Sequence, residues 1–448
     1  MNKNEELLIL GGGPVGSLLS IFFKRKGYEV DVFEKRKDIR NTTAQGGKSI
    51  NIALSKRGWT ALDAVDLKDK VMTIALPMYG RMVHKIDGSK DFQPYTLTGD
   101  AIYSVSRSEV NKILIEEAEK LGVNFHFDQN CKRVDLKTNT LYFRNENNEL
   151  HSERTPGWCV AADGAYSALR SELIKFEGVN YSQEFLDYGY KELHLPADKS
   201  GHWQLEKEAL HIWPRKDFML IALPNRDGSF TCTLFLKHTG EESMQSLDDE
   251  IKLAHFFDKY FPDVALLISD YKKQFLANPL GNLVTIKCFP WHKRAGDSMY
   301  SILGDAAHAI TPFFGQGMNC GFEDARILSE MVDAKADLDV VLSRFEIQRK
   351  GSADAIAQMA YDNFIEMRNG VVDNYFLKVK KVEKELKKEL PEWKSKYELV
   401  SFSNIAYSTI LAKHEVEAEL MNTVIEGKMS VNELAERIKE NMEKHKRY

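Results

Sequence analysis

The apolar positions of this chain change rhythm several times along its length. Leu7 to Leu10 form a short unbroken apolar run, the pattern of a buried parallel strand. Leu18, Leu19, Phe22 and Phe23 then recur at helical spacing, Gly27 supplies a terminator, and residues 28–33 read as a second strand. Farther on, Val110, Ile113, Leu114, Ala118 and Leu121 share one helical face that Gly122 closes before another strand. From about Gly178 to Cys288 the pattern becomes strand-like, in "ALHIWPR", "DFMLIALP" and "SFTCTLFLK", with turn signals such as Asn225-Arg226-Asp227-Gly228 between runs. An antiparallel sheet is expected there, joined by the segment from Leu76 to Pro94. After Ala334 the chain reads helical to its end.

Composition narrows the class of protein without naming a function. The 448 residues suffice for two or three domains, and 43% hydrophobic with 28% charged residues is ordinary for a soluble protein. A net charge of −5 gives no reason to expect a nucleic-acid partner. The five cysteines (Cys131, Cys159, Cys232, Cys288 and Cys320) include no CxxC pair, which argues against a zinc site or a disulfide framework. No apolar stretch reaches the roughly 18 residues of a membrane span, and no signal peptide is expected. The reading is a cytoplasmic protein with no metal.

Chemistry enters at three strand-to-helix junctions. Gly11, Gly13 and Gly16 supply GxGxxG between the first strand and helix, and Glu34 follows eighteen residues after Gly16 at the end of the second strand. Glycines there allow a tight turn, the helix start faces a pyrophosphate, and a carboxylate at the strand end suits ribose hydroxyls while repelling a 2′-phosphate. FAD or NAD is expected, not NADP. The second junction is Asp163-Gly164 with Ser167 and Arg170; its plain alternative is a left-handed glycine and a helix cap. The third is Gly304-Asp305, leading through Pro312, Phe313, Phe314, Gly315, Gln316 and Gly317 into a helix near Met318 and Asn319. Three junctions exceed what one NAD needs. An extended cofactor with a ribityl chain would use them, Asp305 accepting from ribityl hydroxyls and the helix start offering amides to a flavin ring edge, so FAD is favoured.

Other residues carry open readings. "GGKSINIALSKRG" (46–58) is either a close approach to the flavin at Ala53 and Leu54 or a surface loop. Arg107 reaches the cofactor or faces solvent. Arg81 and Tyr95 fall in apolar settings, Arg81 as an anion site or a structural ion pair. Asn363, on one stripe with Met359 and Met367, reads as a satisfied core hydrogen bond.

The three motifs, in this order, resemble the fingerprints of the class A FAD-dependent aromatic hydroxylases. Within that class, "GGKSINIALSKRG", "PMYGRMVH", "SVSR", "SFTCTLF", "YFPD", the stretch 303–325, "NFIEMR" and "SFSNIAY" resemble the kynurenine 3-monooxygenases over about residues 7–410. The resemblance implies an α/β fold: a Rossmann-like FAD-binding domain from residues 1–75, 101–177 and 289–334, an antiparallel-sheet substrate domain from 76–100 and 178–288, and a C-terminal helical region, 335–448. It implies FAD contacts at Val15, Glu34, Arg36, Ala53, Arg107, Cys131 (through backbone), Asp305, Met318 and Asn319. Arg81, Tyr95, Asn363 and Tyr407 would hold the amino-acid end of L-kynurenine, and Phe313, Phe314 and Gln316 its aromatic end. Hydroxylation at the ring 3-position would use O2, a flavin C4a-hydroperoxide and a transiently bound NADPH or NADH, in tryptophan catabolism toward NAD. Lys48 stands where those proteins commonly carry arginine. Their eukaryotic members end in a membrane-anchoring helix; the tail "VNELAERIKENMEKHKRY" is strongly polar, so no anchor is expected. A hydroxylase of another aromatic acid and a flavin-binding redox sensor remain alternatives; the WxWxIP motif of the halogenases is absent.

Overall fold

A computed structural model describes residues 5–41, 51–155, 157–333, 337–369 and 374–445. Two sheets dominate it. The first has six strands in the order His292–Ala295, Ser298–Ile302, Trp158–Ala161, Glu6–Leu10, Glu29–Phe33 and Asn124–His126. All its pairs are parallel except the hairpin formed by the first two. Its inner strands Ser298–Ile302, Trp158–Ala161 and Glu6–Leu10 are buried along nearly their whole length, which is why Leu7 to Leu10 carry no polar alternation. The helices Pro14–Arg25 and Gly317–Met331 pack on it.

Close backbone approach explains the first glycines. A side chain at Gly16 would sit 2.0 Å from the Gly11 carbonyl oxygen, and one at Gly11 would meet Asp163 Cα at 2.8 Å. The first and second junctions therefore touch. The second helix cap forms as read: Ser167 Oγ accepts from the Arg170 amide at the start of Ala168–Leu173.

The second sheet has seven strands in the order Gly281–Phe289, Asn180–Leu195, Phe230–Lys237, Phe218–Pro224, Ala209–Arg215, Gly80–His84 and Lys90–Pro94. Two departures from the sequence reading appear. Ala209–Arg215 pairs with Gly80–His84 in parallel inside an otherwise antiparallel sheet. Leu76–Met78 does not join that sheet but pairs with Ile102–Ser106, which also holds Asn51–Leu54. Three helices, Glu250–Tyr260, Pro262–Leu267 and Tyr271–Ala277, lie within the stretch expected to be strand-like. They bury Phe256, Phe257, Phe261 and Phe275 with the sheet residues Trp213, Phe218 and Leu234.

Beyond residue 337 the described chain is helical: Leu338–Asn369, Asn374–Glu389, Lys396–Phe402, Tyr407–Ile425 and Val431–His445. None of the described helices is long and apolar enough to cross a membrane.

Candidate active site

The three junctions converge. Gly11 lies against Asp163, and Val15, at the start of the first helix, packs into the space left by Gly304 and Gly321. Glu34 is buried at the end of its strand. Its Oε2 accepts from the Gly12 amide at 2.8 Å, and its Oε1 accepts from the amide and Nε of Arg36 at 3.0 and 2.8 Å. Three of roughly four acceptor positions of the carboxylate are therefore occupied, leaving room for about one ribose hydroxyl. Backbone bonds from Gln129 to Glu34 and from Asp128 to Arg36 bring Cys131 to the same end. Burial, with the field of Asp163, pushes the Cys131 thiol up to about 12, so it is no nucleophile.

Asp163 accepts from the Ala168 amide through Oδ2 at 2.8 Å, while its buried Oδ1 has no partner among the described residues. Burial pushes its carboxyl above the usual carboxylate range. An unmet buried acceptor costs about 1–3 kcal/mol, a cost that a hydroxyl-bearing ligand would remove. Asp305 is exposed, without a hydrogen bond among the described residues, and its Oδ1 lies 3.9 Å from the position a Gly317 side chain would take. Arg107 is exposed at the first position of Arg107–Lys120, with no acid in ion-pairing range among the described residues. Space is open beside Gly13 at the N-terminus of the first helix. These donors and acceptors fit an FAD: a helix start for pyrophosphate, an acid for ribose, and two acids with unused oxygens for hydroxyls.

The turn before Gly317–Met331 is bolted to the strand Asn51–Leu54. Asn319 is fully buried; it donates to the Ala53 and Gly315 carbonyls at 2.8 Å each, and its Oδ1 accepts from the Ser55 amide at 2.9 Å. The Asn319 side chain is thus occupied within the chain. No side chain caps this helix, so the Gly317, Met318 and Asn319 amides are left as the donors of its first turn. Leu54 is wholly buried in the core, so any cofactor contact there falls to Ala53 and to backbone. Gly46, Gly47 and Lys48 lie outside the described residues.

The expected substrate residues separate into two groups. Arg81, on Gly80–His84, has its guanidinium 4.6 Å from the ring centre of Tyr397 and 6.0 Å from that of Tyr95. Those two rings stack at 4.9 Å, and Phe314 stacks on Tyr397 at 5.5 Å. Arg81 Nε and the Tyr95 hydroxyl oxygen are buried without a hydrogen-bond partner among the described residues. Burial opposes the charge on Arg81 but is outweighed by the fields of Tyr397, Tyr95 and Glu366, which hold its pKa above the usual value. No carboxylate lies within ion-pairing distance of Arg81 among the described residues; Glu366 pairs with Lys380 instead. The ion-pair alternative for Arg81 has no partner here.

Tyr407 is not in this cage. It is fully buried, its hydroxyl donates to Gln316 Oε1 at 2.8 Å, and its ring faces the Arg57 guanidinium at 3.8 Å. Tyr397, ten residues earlier and unmarked in the sequence reading, occupies the place expected of it, because Lys396–Phe402 packs toward Tyr95 while Tyr407 begins the next helix. Gln316 also departs from expectation: its side chain turns into protein and lines no open surface. Asn363 donates to the Phe313 carbonyl at 2.7 Å and to Met367 Sδ at 3.3 Å, the satisfied core bond of the plain reading. It holds Phe313, which stacks on Phe364 at 4.2 Å.

Behind the turn runs a buried ionic chain that the sequence reading missed. His308 meets Asp324 at 2.6 Å, Asp324 meets Arg349 at 2.7 Å, Arg349 meets Glu323 at 2.7 Å, and Glu323 meets Arg57 at 2.5 Å. The signal available was an acidic pair in the apolar run "NCGFEDA". His308, Cys320 and Asp324 also come within 4.8 Å of one another. Arg349 donates to both Cys320 and Asp324, however, so a guanidinium occupies the place of a cation. A cleft of about 580 Å³ lined by Tyr181, Lys287, Ile347 and Lys350 contains none of the expected site residues.

A model of the FAD binding domain family matches residues 4–254. The chain is 42% identical over 445 residues to a kynurenine 3-monooxygenase of Christiangramia forsetii, covering 98% of this chain and 99% of that protein. It is 46% identical over 410 residues to one of Myxococcus xanthus, covering 90% and 87%, and 40% identical over 446 residues to one of Dictyostelium discoideum, covering 96% and 95%. Solved structures share the fold: a 2-methyl-3-hydroxypyridine-5-carboxylic acid oxygenase has a TM-score of 0.66 at 19% identity, over 84% of this chain and 96% of that one. Klebsiella pneumoniae HpxO, complexed with FAD and uric acid, has a TM-score of 0.65 at 17% identity, over 94% and 96%.

Proposed function

The chain belongs to the kynurenine 3-monooxygenase family, and on that premise we propose that it hydroxylates L-kynurenine at the ring 3-position, using O2 and a nicotinamide reductant. The observation that carries the substrate assignment is Arg81, half-buried with its Nε enclosed and unpartnered, set against Tyr95 and Tyr397 with no acid in ion-pairing range among the described residues. A planar fork of donors in a desolvated cage suits the α-carboxylate of an amino acid, since the pair forms charge-assisted hydrogen bonds that also fix orientation.

In this reading Tyr95 and Tyr397 flank the carboxylate, and the aromatic wall continues through Phe314 to the Gly315 turn. Asn363 acts at one remove, by holding Phe313. The cofactor would be held at its pyrophosphate by Gly11, Gly13, Gly16 and the helix they start, at its ribose by Glu34 with Arg36, at its ribityl chain by Asp305, and at its ring edge by the Gly317, Met318 and Asn319 amides; Val15, Ala53, Arg107, Cys131 and Asp163 complete the set. FAD, when bound, supplies the two-electron chemistry with dioxygen. The chain's own residues have three tasks: clamp the acid end, orient the ring, and exclude water behind Phe313, Phe314 and the Tyr95–Tyr397 stack. Little acid–base chemistry is required of them, because the aniline amine already makes the ortho carbon electron-rich.

The test is turnover with kynurenine, O2 and each nicotinamide. A product one oxygen heavier, carrying label from 18O2, with reductant consumption that depends on kynurenine, is expected. Turnover only with another aromatic acid such as salicylate, or none with any, would overturn the assignment.

A further inference from the structure

Gln316 stands between two glycines at the turn, and Gly315 has a φ of 65°. Glycines hold no side-chain contacts, so beyond Phe313 and Phe314, which are held by Asn363, Phe364 and Tyr397, the C-terminal half of this turn is fixed by the side chains of Gln316 and Asn319. Gln316 Oε1 accepts from two hydroxyls, Ser55 Oγ at 3.2 Å and Tyr407 OH at 2.8 Å. Ser55 comes from the strand–helix junction of the flavin domain, and Tyr407 from the C-terminal helical region. The shorter of the two bonds is the one from Tyr407. Burial pushes the Tyr407 phenol well above its ordinary pKa, so it is a neutral donor at any working pH.

Tyr407 is itself rigidly seated. Its ring lies against Arg57, which donates to the Ile405 carbonyl and pairs with Glu323, and Glu323 pairs with Arg349. The Arg57, Glu323 and Arg349 side chains are nearly inaccessible, so solvent does not loosen the chain of contacts.

We propose that Tyr407 is a positioning residue: through Gln316 its hydroxyl sets the conformation of the Pro312–Gly317 turn, and so the partition between hydroxylated product and hydrogen peroxide. The inference rests on the hydroxylase reading above. Both outcomes take the same two electrons from the reductant. Productive turnover converts NAD(P)H, H⁺, O2 and an aromatic C–H into NAD(P)⁺, C–OH and H2O; unproductive turnover converts NAD(P)H, H⁺ and O2 into NAD(P)⁺ and H2O2. The ratio of peroxide to product therefore reports alignment at the turn without changing the electron count.

The experiment compares wild type with Tyr407→Phe, which removes the donor and keeps the ring beside Arg57. One ordinary hydrogen bond shifts a two-state population about fivefold. The expected results are a peroxide-to-product ratio raised about fivefold, an altered visible absorption envelope of the bound flavin, and a kynurenine Kd within about twofold of wild type, because Arg81, Tyr95 and Tyr397 are untouched. Ser55→Ala removes the other donor to the same oxygen and must move the first two readouts in the same direction; it also carries the test should Tyr407→Phe fold poorly. A kynurenine Kd raised tenfold with an unchanged ratio would make Tyr407 a substrate contact. A lowered melting temperature with flavin spectrum and ratio unchanged would make it structural only, and either result overturns the proposal. If wild type fails to hydroxylate kynurenine, the functional reading falls separately, while the spectra of the two variants still test the positioning.

Discussion

Replacing Arg81 by methionine separates the two states of its guanidinium. In the free protein the residue is half-buried, its enclosed Nε lacks a partner, and no carboxylate among the described residues comes within ion-pairing distance. An orphaned buried donor costs about 1–3 kcal/mol, and the Tyr397 and Tyr95 rings at 4.6 and 6.0 Å return about 0.5–2 kcal/mol. The two nearly cancel. Methionine keeps an unbranched apolar stem against the same rings, so Arg81→Met is expected to leave the melting temperature of the substrate-free protein unchanged or slightly raised. With kynurenine bound the balance differs, because the variant leaves a desolvated carboxylate without its counter-charge. Such a loss is worth about 2–4 kcal/mol, or roughly 30- to 1000-fold in Kd. The assay is a titration of the flavin absorption spectrum with L-kynurenine and with its analogue lacking the α-carboxylate. Wild type should prefer the acid strongly, Arg81→Met should bind both weakly and alike, and FAD content should not change. A Kd for kynurenine within threefold of wild type, or a preference for the acid that survives the substitution, would show that the carboxylate docks elsewhere.

Three further outcomes follow from the geometry. Tyr397→Leu removes the stack against Tyr95 and Phe314 and the ring beside Arg81, and should weaken kynurenine by about 1–3 kcal/mol; a larger effect on Kd from Tyr407→Phe would reverse the assignment of the two tyrosines. Glu323→Ala strips Arg57 of its buried acid and should cost about 3–5 kcal/mol in denaturant unfolding, and a loss under about 1 kcal/mol would mean that solvent enters the network. His211 is buried between His84 Nε2 and the Glu206 carbonyl, and burial holds its pKa down at about 4 against 6.5. The unfolded chain therefore takes up this proton first. The residue's contribution, about 3 kcal/mol, is complete above pH 6.5 and fades as the pH falls toward 4. His211→Gln should flatten that part of the stability curve, and an unchanged curve would exclude the residue as its source.

Much of the first sheet was legible because its inner strands are buried along nearly their whole length, as parallel strands of α/β units are. Leu7 to Leu10, residues 28–33 and the glycines between them encode that locally, since a side chain at Gly16 collides with backbone five residues away. The strands 209–215, 218–224 and 230–237 were likewise announced by β-branched and aromatic runs cut by turn residues. The helices at 250–277 were passed over because their aromatic residues follow one another too densely to show a period.

What local pattern does not carry is the identity of the surface that meets a buried face. Arg81 was visible as a charge in an apolar strand, but whether an acid stood opposite depended on the packing of a helix some 300 residues later. Tyr397 and Tyr407 each begin a C-terminal helix, and nothing in their neighbouring residues says which one reaches Tyr95 and which one reaches Gln316. Arg57 and Glu323 are separated by 266 residues, and each alone looks like a solvated charge. Periodicity records which side of an element avoids water, and with the glycine spacing it determined the first strands and helix and the turn between them, though not the helices at 250–277. Which cation, acid and ring would be enclosed together was decided only when the C-terminal helices closed over the sheet, because the partners of a desolvated charge are chosen by distance in space and not by spacing along the chain.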